Sequence, residues 1–393
     1  MAQSLTQARP TLSLAERDRR YRAVRDRLNE RGVDCVVVTG SNLFYLSNGL
    51  PGERMGLLPA QELPMMVALN GRHLADLSAQ VVVDAQDWVG DVRAGNDARP
   101  LLERIGDLRL EQGTIGVMPG SLSQSFYTQL QGGLPGAKLV DVSDILADVR
   151  TTKSDEEIAM IDQANRVFDA AVQAVRLFAR PGMLGSEVVQ EGIKAMWGAG
   201  GDLNSTFGFN FGPIPKQNPV LCELCLTRRI QPGDIGTLTA HAHYGGYGGH
   251  SDHEISFGEP APLHRDMYQA ILHVRDAVLS EVKPGMTQRG LVEIYQRACA
   301  ETGFKSSSHS QIHQYGIDVP EFPGPAFKVG SGSERGGGER DFTLAPGMIY
   351  SISPTLVAPN GDDTMLGGTS LVVTENGFRE LGDRKVELLV SPI

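Results

Sequence analysis

The feature that most constrains the fold is a set of Pro-Gly turns that recurs along the second half of the chain. Two of these turns, 114 positions apart, precede β-rich runs: Gln231–Gly233 and Ala345–Gly347. Two others each follow one predicted helix and precede the next: Arg180–Met183 and Lys283–Met286. Recurrence of the same turns in the same order predicts an internal duplication. In that alignment Thr239 and Ser353 occupy equivalent positions.

A glycine-rich hairpin is predicted between residues 235 and 255. Side chains alternate along a strand with period two, so each strand has two chemically different faces. Thr239, His241 and His243 share one face of the first strand. On the second strand, His250, Asp252 and Glu254 share one face, and Ser251, His253 and Ile255 share the other. Four of the nine histidines lie within thirteen residues. Convergence of titratable groups on one spot is typical of a catalytic site.

Composition excludes several classes of protein. The chain has 393 residues, 41% hydrophobic and 21% charged, which suits an ordinary globular protein of two domains. Its net charge of −11 argues against a nucleic-acid or anionic-membrane partner. No apolar run approaches the ~20 residues that span a bilayer, and the N-terminus lacks a signal-peptide pattern. We therefore expect a cytoplasmic protein without a membrane partner.

The cysteines do not suggest a disulfide framework. There are four of them, Cys35, Cys222, Cys225 and Cys299, and this usage favours a reduced compartment. Cys222 and Cys225 have the spacing of a redox or metal motif, although a single pair of this kind is weak support for either.

Two domains are predicted, residues 1–150 and residues 151–393. In the first, a helix at 14–31 and strands at 34–39, 64–69, 80–85 and 113–117 indicate a small α/β domain. A loop at 49–54 is expected to present Arg54 to an acidic group. In the second, the order of long helix, break and helix occurs at 155–197 and again at 263–302.

These landmarks resemble the creatinase/aminopeptidase P family, which has the pita-bread fold. The residues that carry the resemblance lie in the family's order: Arg150–Lys153, Glu157-Ile158, Pro232–Asp234, Gly246-Tyr247, Gly258–Pro260, His309, His313, Gly316, Pro346–Met348 and Thr374–Gly377. The resemblance implies an α/β (α+β) protein, with a creatinase-type N-terminal domain and a pita-bread catalytic domain of pseudo-twofold symmetry. It also implies a homodimer in which the partner's Arg54 loop reaches the active site.

The metal ligands of the family are largely replaced. Its metallopeptidases hold two metal ions with two aspartates, one histidine and two glutamates. By the resemblance, Thr239 stands at the first aspartate, and His250 at the second, or Asp252 if two residues are inserted. His313 is kept, whereas Ser353 and Gly368 replace the glutamates. Because Thr, Ser and Gly do not offset the repulsion between two cations, we predict a metal-independent protein with no cofactor.

Creatinase, the member that works without metal, is the closer comparison. It has an acid two residues after the second metal position, which here is Asp252, or Glu254 in the shifted register. Cys222 stands at its acid/base histidine, and Ser353 replaces a glutamate that holds creatine, so creatine itself is not expected as the substrate. From aminopeptidase P, His309 and His313 are kept, and Glu321 is retained after Pro320.

The predicted catalytic residues are His313, Asp252, His250, Glu254 and Cys222. A carboxylate beside an imidazole raises its basicity, so Asp252 is expected to pair with His313 or His250. Cys222 is a candidate nucleophile or proton donor. The predicted substrate contacts are Arg54, His241, His243, His253, His309, Glu321, Thr239 and Ser353.

The predicted function is metal-independent hydrolysis of a non-peptide C–N bond in a small molecule by a creatinase-like enzyme. Three alternatives stay open: a lyase that uses the same residues, a metalloenzyme with one ion in a rebuilt His-rich site, and a non-catalytic pita-bread binding module. The last of these has no need to gather so many titratable groups in one hairpin.

Overall fold

The structure is a computed structural model that describes residues 10–50, 52–70, 88–212, 223–307, 311–318, 321, 327–328, 342–359, 361, 363–383 and 387–391. The predicted strand at 80–85, together with Cys222 and His309, lies outside the described residues. The chain divides into two compact units, Leu12–Arg150 and Thr151–Ile393, the second of which also includes Met1–Thr11. Over the described part, no helix is both long and apolar enough to cross a membrane.

The first unit contains a six-stranded sheet in the order β4-β3-β2-β1-β5-β6. Its strands are β1 Cys35–Val38, β2 Glu53–Pro59, β3 Met66–Leu69, β4 Asp91–Ala94, β5 Thr114–Val117 and β6 Lys138–Asp141. Its helices are α1 Leu14–Glu30, α2 Gly40–Ser47, α3 Arg99–Asp107, α4 Gln124–Gly133 and α5 Ser143–Thr151. Strand β1 is the unbroken apolar run Cys-Val-Val-Val, and it is buried along its whole length at the centre of the sheet.

The second unit is built from three sheets and five described helices. The helices are α6 Asp155–Phe178, α7 Gly185–Gly198, α8 Glu223–Leu226, α9 Pro262–Glu281 and α10 Gln288–Glu301. Helix α6 begins at Ser154, whose hydroxyl accepts from the Glu157 N–H while the Glu157 carboxylate accepts from the Ser154 N–H. This capping box satisfies two backbone donors at the helix start.

The sheets of this unit have four, five and three strands. Their orders are β18-β9-β8-β7, β12-β11-β13-β16-β17 and β10-β14-β15. The strands are β7 Thr206–Phe211, β8 Ile235–Tyr244, β9 Tyr247–Phe257, β10 Lys305–Ser306, β11 Gln311–Gln314, β12 Phe327–Lys328, β13 Ile349–Ser353, β14 Thr355–Val357, β15 Thr364–Leu366, β16 Thr369–Thr374, β17 Gly377–Glu380 and β18 Leu389–Ser391.

The hairpin β8–β9 is regular over its full length. Ten successive pairs join the strands, from Ile235–Ser256 to Tyr244–Tyr247. Gly245 and Gly246 form the two-residue turn with φ of 53° and 79°, the positive values that a type I′ turn requires. Beyond the turn, Gly249 lies against helix α6, where a Cβ would sit 2.6 Å from the Ala164 carbonyl carbon. Glycine at this position therefore allows the helix to pack directly on the sheet.

The two faces of the hairpin meet different surroundings. On one face, Phe168 of α6 packs against the ring of His253 at 5.5 Å and against Phe207 of β7 at 6.2 Å. On the other face, β9 meets strands of the five-stranded sheet: Ser353 of β13 donates a hydrogen bond to Asp252, and Ser370 of β16 donates to the carbonyl of His250. The polar face of the hairpin therefore lies buried between two sheets.

Candidate functional site

Three imidazoles form a contiguous group on the polar face of the hairpin. His241 of β8 and His250 of β9 are directly opposite each other, and their ring centroids are 5.0 Å apart. His313 of β11 brings a third ring, 5.1 Å from that of His250. His250 and His313 are each only 4% exposed. The structure thus joins two histidines that are close in sequence to one that lies more than sixty positions away.

Hydrogen bonds assign the tautomers of two of these rings. Nδ1 of His250 faces the Ala240 carbonyl oxygen at 3.3 Å, and Nδ1 of His313 faces the Gln314 carbonyl oxygen at 3.2 Å. Because a carbonyl only accepts, each Nδ1 carries the hydrogen, and Nε2 of the neutral ring is the acceptor.

Burial sets the charge of the cluster. It lowers the pKa of His313 to about 3, with a further decrease from the nearby His250. Burial also lowers the pKa of His241. Asp252 raises the pKa of both groups but by less than burial lowers it, so the expected increase in the basicity of His313 is not found. His313 is a neutral hydrogen-bonding group at neutral pH.

Asp252 lies among residues that stand where the resemblance implies metal ligands. It lies opposite Thr239 and is 4% exposed. Its Oδ2 accepts a hydrogen bond of 3.0 Å from Ser353 Oγ, and its carbonyl accepts one of 3.2 Å from the Gly368 N–H. A Cβ at Gly368 would collide with Asp252 Oδ2 and lie 2.8 Å from Ser353 Oγ. Glycine at 368 therefore makes the room that the carboxylate uses.

Glu254 follows on the same face and is completely buried. Its Oε1 accepts a hydrogen bond of 2.9 Å from Thr237 Oγ1 and one of 2.7 Å from the Leu366 N–H. These bonds fix the carboxylate one row beyond Asp252, on the side away from His250.

Two of the predicted hairpin histidines lie outside this group. His253 points to the opposite face and packs edge-on against Phe168, because period-two alternation separates it from Asp252 and Glu254. His243 is half-buried near the end of β8, where its backbone N–H donates a hydrogen bond of 2.9 Å to Ser205 Oγ. Burial lowers the pKa of its ring.

Other predicted site residues have different surroundings from those expected. Glu321 forms a buried ion pair with Lys153, Oε2 to Nζ 2.5 Å, so its carboxylate has a protein partner. Arg54 is exposed and is the second residue of β2 in the other unit rather than part of a loop.

Asn210 was missed by the sequence analysis although a local pattern marks it. Strand β7 reads Thr-Phe-Gly-Phe-Asn-Phe, and its three phenylalanines are buried. Alternation then places Gly208 and Asn210 on the opposite face, the one that carries Asp252. Both polar atoms of the Asn210 side chain are buried.

The residues of the site do not fit a pair of metal ions. Within the described segments, no group of three His, Cys, Asp or Glu side chains has the arrangement of a metal site. Ser353 and Thr239 stand where the resemblance implies carboxylates, and the space of a side chain at Gly368 is filled by Asp252 and Ser353. The predicted absence of a cofactor stays a prediction.

Comparison with known proteins identifies both halves of the chain. Residues 20–152 match the Creatinase/Prolidase N-terminal domain, and residues 159–376 match Metallopeptidase family M24. The Xaa-Pro dipeptidase of Lactobacillus delbrueckii subsp. lactis is 24% identical over 385 residues, 93% of this chain and 97% of that protein. The creatinase of Bacillus sp. (strain B-0618) is 24% identical over 394 residues, 95% and 92% of the two chains.

A solved structure shows the same fold. The Xaa-Pro dipeptidase from Bacillus anthracis superposes with a TM-score of 0.80 at 21% identity, covering 95% of this chain and 99% of that one. The predicted α/β fold, with a creatinase-type N-terminal domain and a pita-bread domain, is thereby confirmed.

The predicted function is wrong. The matched catalytic family is one of metallopeptidases, and relatives named Xaa-Pro dipeptidase match nearly the whole chain. These findings contradict a hydrolase of non-peptide C–N bonds, and they contradict the description as metal-independent. The prediction gave the lost carboxylates more weight than the overall similarity of the chain.

Proposed function

Because the chain belongs to metallopeptidase family M24, as its resemblance predicts, we propose that it hydrolyses the amide bond of a dipeptide-sized substrate. The observation that carries the proposal is the row of imidazoles, His241, His250 and His313, with successive rings 5.0 and 5.1 Å apart beside buried Asp252. Relatives named Xaa-Pro dipeptidase support a dipeptide as the substrate.

In this proposal, three groups take part in the hydrolysis. Amide hydrolysis needs a base that takes a proton from water and an acid that protonates the leaving nitrogen. Asp252, oriented by Ser353, is the base. After the water attacks, Asp252 passes that proton to the leaving nitrogen, while His250, two residues away on the same face, accepts a hydrogen bond through Nε2 because its Nδ1 faces the Ala240 carbonyl. Neutral His313 orients the attacking water through Nε2, because its Nδ1 hydrogen points to Gln314.

No step is routed through a metal pair, because the donor set does not fit one. In this proposal, His241, Thr239 and Ser353 line the site and contact the substrate, and Glu254 supports the sheet beside it. The homodimer, with Arg54 of one protomer reaching the other protomer's site, stays a prediction. Sedimentation equilibrium tests it, since a strictly monomeric protein removes the geometric basis for the Arg54 contact.

The test is hydrolysis of a panel of Xaa-Pro and Xaa-Ala dipeptides, with and without added divalent cation. We expect Asp252→Asn to lower turnover about 10²–10⁴-fold, the usual contribution of a general acid or base. His313→Ala, which removes the group that orients the water, should also lower turnover, while circular dichroism shows an intact fold in both variants. The control is His273→Ala, a histidine of α9 whose side chain is 51% exposed, which keeps the wild-type rate.

Absence of hydrolysis across the panel by folded wild-type protein would exclude the proposed activity. Near-normal turnover in folded Asp252→Asn would instead move the chemistry away from this carboxylate.

A further inference from the structure

Strands β7, β8 and β9 present two polar rows on the face that carries the site. Asn210 pairs with Thr237, which pairs with Glu254, and in the next row Gly208 pairs with Thr239, which pairs with Asp252. Residues directly opposite in antiparallel strands share a face and lie close together. The two rows are therefore a continuous polar surface that begins at the proposed catalytic carboxylate.

In the first row, the Asn210 side chain receives no hydrogen bond from its neighbour on β8. The Thr237 hydroxyl gives its single hydrogen to Glu254 Oε1, at 2.9 Å. Asn210 Nδ2 and Oδ1 are both buried, and neither has a hydrogen-bond partner among the described residues. The Asn210 amide, which offers two donors and an acceptor, is thus buried without a hydrogen bond to the described residues.

In the second row, the Thr239 side chain is also buried. It is 2% exposed, and its Oγ1 is buried with no hydrogen-bond partner among the described residues. Its neighbour on β7 is Gly208, so β7 places no side chain beside the hydroxyl. On the other side, Asp252 takes its hydrogen bond from Ser353 instead.

Three buried polar atoms have no hydrogen-bond partner among the described residues, and they lie next to Gly208, which has no side chain. We take this arrangement as the mark of a ligand site. Buried polar groups are nearly always hydrogen-bonded, and exceptions in native proteins concentrate at functional sites. A ligand that restores the balance must accept from Asn210 Nδ2 and also donate to Asn210 Oδ1. A carboxylate only accepts and an ammonium only donates, so each leaves one Asn210 atom unmatched, whereas an amide bearing N–H matches both.

We propose that Asn210 and Thr239 form a subsite that binds an N–H-bearing amide group of the substrate, beside the bond cleaved at Asp252. The subsite rests on the proposed function for its location next to the chemistry, but its binding is separate from turnover. It makes Asn210 a specificity-determining residue: dipeptide-sized substrates that carry a further N–H-bearing amide are favoured over those that carry an ester or a tertiary amide at the same position.

The first experiment measures the melting temperature of the free protein for a matched pair of substitutions. Thr237→Val and Thr239→Val make the same change two residues apart on one strand, but among the bonds of the described residues only the first removes one. We expect Thr237→Val to lower Tm by about 2–4 °C, in proportion to one buried hydrogen bond in a domain of this size. Thr239→Val and Asn210→Leu leave Tm unchanged or raise it.

The second experiment measures binding as the Tm increase produced by two probes, alanyl-alanine amide and alanyl-alanine methyl ester. Wild-type protein is expected to bind the amide at least about tenfold more tightly, because a site built to hydrogen-bond a group rejects the analogue that lacks it. Asn210→Leu and Thr239→Val should remove this preference. If Thr239→Val lowers Tm as much as Thr237→Val does, the subsite is overturned. The Thr239 hydroxyl would then have a hydrogen bond in the free protein, from another residue or from bound water.

An equal response of wild type and variants to both probes, or no response of wild type to either, also overturns it. The two proposals fail separately. Dipeptide hydrolysis without an amide preference removes the subsite and keeps the activity, whereas an Asn210-dependent preference without hydrolysis keeps the subsite and removes the activity.

Discussion

Substitution of Lys153 by methionine is expected to destabilise the second unit strongly. The Lys153 Nζ lies 2.5 Å from Glu321 Oε2, and the two side chains are only 2% and 3% exposed. Glu321 is further tied by its N–H to the Gln314 carbonyl at 2.9 Å, next to His313. Gly316 leaves no spare room, because a Cβ there would collide with the Glu321 carboxylate and lie 3.0 Å from Lys153 Cε.

The magnitude follows from the burial of both charges. Removing one partner of a buried ion pair leaves an uncompensated charge and costs about 3–5 kcal/mol. In a domain of this size about 1 kcal/mol corresponds to roughly 2–4 °C, so Lys153→Met should lower Tm by roughly 6–20 °C. Replacing both partners by apolar residues is often nearly neutral. The double variant Lys153→Met with Glu321→Leu should therefore recover most of the loss.

Scanning calorimetry with urea unfolding of the full chain measures these differences. The control is Lys194→Met, which breaks a surface pair with Glu191 in which the lysine side chain is 78% exposed. An exposed pair of this kind contributes about 0–1 kcal/mol. The reasoning is refuted if Lys153→Met lowers the free energy of unfolding no more than the control does. It is also refuted if the double variant loses as much free energy of unfolding as the two single variants together.

Two further predictions concern a buried carboxyl and a crowded glycine. Burial raises the pKa of Glu53 from 4.5 to about 7, so the folded state keeps a proton that the unfolded chain loses. The free energy of unfolding of the first unit should fall as pH rises from about 4.5 to about 7. Glu53→Gln should flatten that fall in urea titrations at several pH values, and an unchanged slope contradicts the assignment. Gly368→Ala should displace Asp252 from Ser353 and lower dipeptide turnover at least about tenfold. The control is Gly198→Ala, where a Cβ meets nothing within 4 Å and turnover should not change. Equal turnover in the two variants would show that the added methyl group does not displace Asp252.

The family resemblance was sound, but the function inferred from departures at single positions was not. Thr239, Ser353 and Gly368 replace residues that the resemblance assigns to metal binding, and the structure shows them around Asp252 and next to one another. Their identity describes how this site differs from the family pattern. It did not determine the function, because relatives named Xaa-Pro dipeptidase match nearly the whole chain.

The sequence by itself determined the local structure of the site. Period-two alternation separated His253 from Asp252, and the Gly245-Gly246 turn set the register of the hairpin. The same alternation along β7 marks Asn210. These features depend on residues within a few positions of one another, so turn chemistry and strand geometry are enough to specify them.

Only the tertiary structure decided which groups meet and how they are charged. His313 lies beside His250, Ser353 beside Asp252 and Lys153 beside Glu321, each pair far apart in the sequence. The low pKa of His313 follows from burial between the sheets, which outweighs the carboxylate that the sequence places nearby. Distances and desolvation arise when distant segments pack together, and short-range patterns carry no information on them.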